Sequence, residues 1–174
     1  GTLPGGLLRK CAIGGHALAG SPTFDAVEIT TSNPYGIQSA GADITATRMN
    51  IHHNNAAGVY VQNAALDLSR SAIHYNGGAG VETYSNAAQV NATIVRNTIV
   101  NNAGNAVKFG RTGAGWFIGS VRDNILAKSG AYAIEGTSGS TVSNTNNLLF
   151  GYPGNPYLGV MPEGVNFPPA NPLF

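Results

Sequence analysis

The sequence predicts an all-β chain, a single-stranded parallel β-helix with three short strands per coil of about 22–27 residues. Three observations lead there. The first is a repeat: residues 47–62 read TRMNIHHNNAAGVYVQ and residues 69–84 read SRSAIHYNGGAGVETY, an offset of 22 residues. In both copies Arg stands three residues before Ile, and Gly-Val follows seven residues after it. The second is alternation. Runs such as DITAT at 43–47, GVYVQ at 58–62 and ALDLS at 65–69 switch between apolar and polar positions, with no 3.6-residue pattern. The third is composition: 24 glycines and only 10% charged residues suit tight turns rather than solvated helix surfaces.

The elements follow in order. Residues 1–24 read as an irregular N-terminal coil or cap, with Leu7, Leu8 and Ile13 facing inward. Residues 25–150 read as the coils. Ile29, Ile51, Ile73, Ile99, Ile125 and Leu148 fall in equivalent places, at steps of 22, 22, 26, 26 and 23. A second column is Ile37, Val59, Val81, Val107 and Ile134, each preceded by Gly or Ala. Equal residues in successive coils should stack at about 4.8 Å, the spacing of paired strands. Apolar columns then face inward, and the Gly and Asn between them occupy turns that need a left-handed backbone. The longer steps place extra residues around Ala87 and Ala88 and around 111–115. Residues 151–174 hold six of the nine prolines and read as a Pro-rich capping tail wrapped across the last coil. Proline cannot serve a central ladder, and an open end left uncovered pairs with other chains.

Two phrases carry a family resemblance. VRNTIVNN at 95–102, followed by GNAV at 104–107, resembles the repeat of the pectate-lyase-like, right-handed parallel β-helix family. NLLF at 147–150 and NPLF at 171–174 are similar to the closing region of its secreted bacterial members. The resemblance covers about residues 25–174. It implies a right-handed winding, which parallel crossovers also favour, and a secreted or cell-surface location. It does not imply one activity, because the family includes lyases, hydrolases, epimerases and phage spikes. Calcium enters as a cofactor by fold analogy only.

Composition removes some partners. A net charge of +1 gives no electrostatic footprint for nucleic acid, and no apolar run approaches the ~18 residues of a membrane span. Cys11 is the single cysteine, so no internal disulfide forms, and its apolar setting reads as a buried, inert thiol. No leader segment is visible at the N-terminus; a secreted chain would have lost it before residue 1. Asn91 opens a formal glycosylation sequon.

Stacking turns sequence offsets into neighbours. Arg48, Arg70, Arg96 and Arg122 are expected in one surface column, a strip able to grip the carboxylates or sulfates of an acidic polysaccharide through bidentate contacts. His52 and His74 are expected to stack, with His53 and Tyr75 beside them. If the chain is an enzyme, His52, His74 and Tyr75 are the candidate catalytic groups: Arg would neutralise a uronate carboxylate while His or Tyr moves the proton in a β-elimination. A metal wants a third ligand, and the next coil offers Val100. Gln38, Tyr60, Glu82, Lys108 and Glu135 should form an outward column whose alternating charges satisfy one another, which weakens a glycosidase reading. The remaining carboxylates share no column in neighbouring coils, so no calcium cluster assembles. Trp116 is expected to cover the core beneath the loop at 111–115, the alternative being an exposed sugar-stacking platform. Three functions stay open. The chain is a secreted or surface module that binds an anionic polysaccharide or serves as a rigid scaffold, a lyase-like enzyme cleaving an acidic glycan, or a stalk or spike segment. A stalk would stack end to end with further coils or another chain.

Overall fold

Alternating residues on a short extended segment put one set of side chains into a core and the other into solvent. In this chain the alternation is repeated three times per coil. The computed structural model describes residues 1–9, 15–17, 20–86, 89–130, 132–137 and 141–159. Cys11, Ile13, Ala87, Ala88 and the tail from residue 160 onward lie outside the described residues.

An opening partial coil holds β1 (Thr2–Arg9) and β2 (Gly15–Ala17). Six coils follow. Coil 1 has β3 (Thr23–Thr30) and β4 (Ile37–Ala40); coil 2 has β5 (Ile44–Thr47), β6 (Asn50–His52) and β7 (Val59–Gln62). Coil 3 has β8 (Leu66–Ser69), β9 (Ala72–His74) and β10 (Val81–Ser85); coil 4 has β11 (Gln89–Val95), β12 (Thr98–Val100) and β13 (Val107–Arg111). Coil 5 has β14 (Trp116–Arg122), β15 (Ile125–Ala127) and β16 (Ile134–Glu135); coil 6 has β17 (Thr141–Thr145), β18 (Leu148–Phe150) and β19 (Tyr157–Leu158). Every strand pairs in parallel with its equivalents above and below. The first strand of each coil builds face 1, the second face 2 and the third face 3. β3 is long enough to serve faces 1 and 2 in turn, pairing with β5 at its start and β6 at its end.

The core is a set of vertical files. Ile29, Ile51, Ile73 and Ile99 stack in register, each fully buried. The file then continues through Leu126 and Leu149, not Ile125 and Leu148. The step from coil 4 to coil 5 is therefore one residue longer than the isoleucine spacing suggested. Ile125 and Leu148 stand in the neighbouring outward column above Thr98. On face 3 the file Ile37, Val59, Val81, Val107 and Ile134 holds without a slip. Of the N-terminal residues expected inside, Leu8 packs against the core, whereas Leu7 is 51% exposed on β1.

The corners explain how such short strands can turn. Between faces 1 and 2 a single left-handed residue bends the chain: Ala26, Arg48, Arg70, Arg96, Asp123 and Asn146, with φ from 53° to 59°. Between faces 2 and 3 the same job falls to Thr31, His53, Tyr75, Asn101, Lys128 and Gly151. Behind each corner runs a buried asparagine ladder. Asn54 and Asn76 each donate a backbone N–H and a side-chain N–H to the Oδ1 of the next coil's Asn, Asn76 and Asn102 respectively. Ser32 and Ser129 end that ladder. On the other corner Asn97 and Asn124 do the same to Asn124 and Asn147, and Ser71 links them to coil 2, its N–H donating to Asn97 Oδ1 and its Oγ accepting from the Met49 N–H. Each amide satisfies orphan backbone groups that a dry corner would leave unpaired.

Candidate functional site

Face 2 is three residues wide, so its outward positions form only two columns between the two corners. One column is Glu28, Asn50, Ala72 and Thr98; the other is Thr30, His52, His74 and Val100. The corner columns frame them. On one side stand Arg48, Arg70 and Arg96, and on the other His53, Tyr75 and Asn101. The structure thus brings the expected arginine and histidine groups to one face. Arg70, at the corner, and His74, at the end of β9, sit four residues apart on coil 3, at most about 13 Å.

Arg122 does not join the arginine column. It pairs with Val95, one position before the corner, and Asp123 occupies the corner in coil 5. The cause is the same one-residue lengthening that displaced Ile125. Arg122 Nη1 donates to the neighbouring Asp123 Oδ2 at 3.1 Å. Arg48 is also committed: its Nε donates to Asp25 Oδ1 at 2.9 Å and its Nη2 to Asp25 Oδ2. That bidentate bond holds the Asp25 carboxyl below the usual carboxylate range and raises Arg48 in turn. Arg70 and Arg96 are exposed and have no ion pair among the described residues.

The histidines stack as expected. His52 and His74 lie face to face, ring centroids 5.0 Å apart and 7° from parallel. Beside them His53 and Tyr75 stack at 5.4 Å. His52 is held on both ring nitrogens. Its Nε2 lies 3.0 Å from Glu28 Oε1, and its Nδ1 lies 2.8 Å from His53 Nδ1 and 3.2 Å from Thr30 Oγ1. His74 Nε2 meets Asn50 Oδ1 at 3.1 Å. Burial, and then the nearby His52 and His53 rings, push His74 below the ordinary histidine value. Sequence reasoning missed Glu28, Asp25 and Asn50 as partners. The signal was available: Asp25 and Glu28 precede Arg48 and His52 by 23 and 24 residues, close to one coil.

On face 3 the outward column is Gln38, Tyr60, Glu82, Lys108 and Glu135. Lys108 Nζ bonds Glu82 Oε1 at 3.1 Å. Burial pulls Lys108 down, but the hydrogen bond and charge of Glu82 outweigh it and hold the ammonium above its ordinary value. Tyr35 stacks on Tyr60 at 4.7 Å, and burial raises the Tyr60 phenol. Among the described residues no group of three or more His, Cys, Asp or Glu side chains is placed to hold a metal ion. Trp116 is 42% exposed, and the core beneath the loop is covered by the fully buried Phe117 instead.

A family model described as a right-handed β-helix region matches residues 9–149. No curated protein and no solved structure matches the chain.

Proposed function

The chain belongs to the right-handed β-helix family, and from that premise we propose that it is a rigid, secreted or surface module that binds an anionic polysaccharide along face 2. The observation that carries this reading is the pair Arg70 and Arg96. They occupy the same corner in adjacent coils, are exposed, and have no anionic partner among the described residues. A left-handed backbone costs a non-glycine residue about 1–2 kcal/mol, and Gly or Asn would carry it more easily. Asn146 and Ala26 show that the corner itself does not need a long cation. Unlike Arg48, which bonds Asp25, the arginine of coils 3 and 4 has no carboxylate among the described residues to tie it to a neighbouring coil. It does supply guanidinium groups at about 4.8 Å intervals, able to bind carboxylate or sulfate bidentately. Carboxylates bracket the strip, Asp25 and Glu28 at one end and Asp123 at the other, so the positive stretch is confined to coils 3 and 4.

The test replaces Arg70 and Arg96 together by Asn, which tolerates the corner backbone. Binding of polygalacturonate, alginate and heparin is then measured at several salt concentrations. A charge-assisted contact contributes about 1.5–3 kcal/mol, so each arginine lost should weaken binding roughly tenfold or more and flatten the salt dependence. Equal affinity in the double variant, or no binding of any of the three polymers at low salt, refutes the proposal.

A second reading, a lyase acting on an acidic glycan, draws on the imidazoles. A neutral His74 at pH 7, stacked on a His52 oriented by Glu28, is a candidate base with Tyr75 beside it. It ranks second because the ring nitrogens of His52 are taken by protein partners and the arginines stand across the face. Ultraviolet absorbance from an unsaturated uronate, abolished in His74→Gln, would promote it. A rigid scaffold or stalk would give neither binding nor product.

A further inference from the structure

Face 1 widens in two coils. β11 and β14 have seven residues each, against four in β5 and β8. The added residues pair with one another, Gln89 with Trp116, Val90 with Phe117 and Asn91 with Ile118, whereas β8 meets β11 only from Ala92 onward. The result is a ledge projecting past the coils below. Its inward side is complete: Val90 and Phe117 are buried, and Phe117 packs on Phe109 at 5.4 Å between ring centroids. Its outward side nonetheless displays two large apolar side chains, Trp116 at 42% and Ile118 at 50% exposure.

Those side chains sit among neutral polar groups. The Trp116 indole N–H donates to Gln89 Oε1 at 3.2 Å, and Gln89 Nε2 donates to Asn91 Oδ1 at 3.1 Å. This chain of bonds fixes the indole and leaves the Asn91 amide nitrogen without a protein partner among the described residues. Thr141 pairs with Ile118 on the far side, and the next outward row runs through Thr93, Ser120 and Ser143 in coils 4 to 6, with Asp67 of coil 3 below Thr93. Arg111, at the adjoining turn, donates to the Gly115 carbonyl at 3.2 Å.

We propose that this ledge binds a neutral saccharide. The indole packs on the apolar C–H face of a pyranose ring, and the amides of Gln89 and Asn91 with the Thr141 hydroxyl bind its hydroxyls. An aromatic surface next to amides and hydroxyls matches a sugar, which is apolar on its faces and polar at its rim. In coils 4 to 6 these outward rows carry no charge, and Asp67, one coil below Thr93, would repel an anionic sugar, so the ledge suits a neutral one. Two apolar side chains fall short of the roughly 800 Å² per partner that a stable protein interface buries. The ledge is also separate from the arginine strip: in coil 4 Gln89 opens β11 and Arg96 follows its end, seven residues apart, about 23 Å.

Trp116 is the only tryptophan in the sequence, so intrinsic fluorescence reports this site alone. Cellohexaose, mannohexaose, xylohexaose and maltohexaose are titrated into the full chain. The expected result is a saturable emission shift with at least one of them, together with reduced quenching by acrylamide. Calorimetry with that sugar should show at least a tenfold loss in Trp116→Ala, a several-fold loss in Asn91→Ala, and no change in Arg70→Asn. The exposed Trp116 position should tolerate alanine with an unchanged thermal midpoint. No saturable change with any of the four sugars at millimolar concentration would overturn the proposal. So would binding that survives Trp116→Ala, or an emission shift that follows protein concentration without sugar. Loss of polygalacturonate binding in the arginine variants leaves this site unaffected, so the two readings fail separately.

Discussion

His74 is half-buried on face 2, and its proton affinity sets a pH dependence for the whole chain. Burial lowers its pKa, and the His52 and His53 rings lower it further. The unfolded chain therefore binds a proton more readily than the native one. Stability from this group is fully present above the unfolded value of about 6.5 and is lost as pH falls toward the native pKa. The thermal midpoint should drop between pH 7 and pH 5, and His74→Gln should reduce that drop; an unchanged pH profile in the variant would assign the effect elsewhere. The groups facing His74 are His52, His53, Tyr75 and Asn50, and Glu28 contacts His52. The stacked pair was legible in the sequence, because His52 and His74 share an offset of 22 with Ile51 and Ile73. The asparagine ladders were not. Asn reads as a turn former, so its recurrence was assigned to loops, although Asn54, Asn76 and Asn102 each follow their isoleucine by three residues. A fixed offset from a buried anchor is the mark of a stacked, buried amide rather than of a variable loop.

At the level of strands, register decides which residues meet. A slip of one residue moves every neighbour by one column. Face 3 was read correctly through coil 5 because Gly or Ala marks the position before each file residue. That mark has a physical cause. A Cβ added at Gly80 would lie 2.4 Å from Ile99 Cγ2 and 2.8 Å from the Ala106 carbonyl oxygen. Gly80→Ala must push the strand off the isoleucine file, at a cost of about 1–3 kcal/mol for overpacking. Its chemical-denaturation midpoint should fall accordingly; Gly154→Ala, where an added Cβ meets nothing within 4 Å, is the matched control. Face 2 slipped between coils 4 and 5 because both Ile125 and Leu126 suit an inward place, and only the hydrogen-bond register separates them. The same slip put Arg122 in the wrong column. Strands of three residues carry too little alternation to fix phase by themselves.

For the molecule as a whole, the two ladders are staggered. One holds the corner between faces 2 and 3 from coil 1 to coil 5, from Ser32 to Ser129. The other holds the corner between faces 1 and 2 from coil 2 to coil 6, from Met49 through Ser71 to Asn147. Coil 1 therefore joins only the first ladder and coil 6 only the second. In a solenoid each coil pairs only with its neighbours, so stability is close to a sum of local terms. Asn76→Ala tests this. It removes the acceptor for the Asn54 backbone and side-chain N–H groups, and the donors to Asn102 Oδ1 and Ile51 O. An unpaired buried polar group costs about 1–3 kcal/mol, so the variant should lose about 3 kcal/mol. Hydrogen exchange locates that loss. The backbone N–H groups of Asn54, Gly58 and Asn76 in coils 2 and 3 should exchange much faster, while those of Asn124 and Leu148 in coils 5 and 6 keep most of their protection. Uniform acceleration across all coils would mean that the chain opens as one cooperative block, and that its rigidity comes from the continuous apolar files rather than from the corner amides.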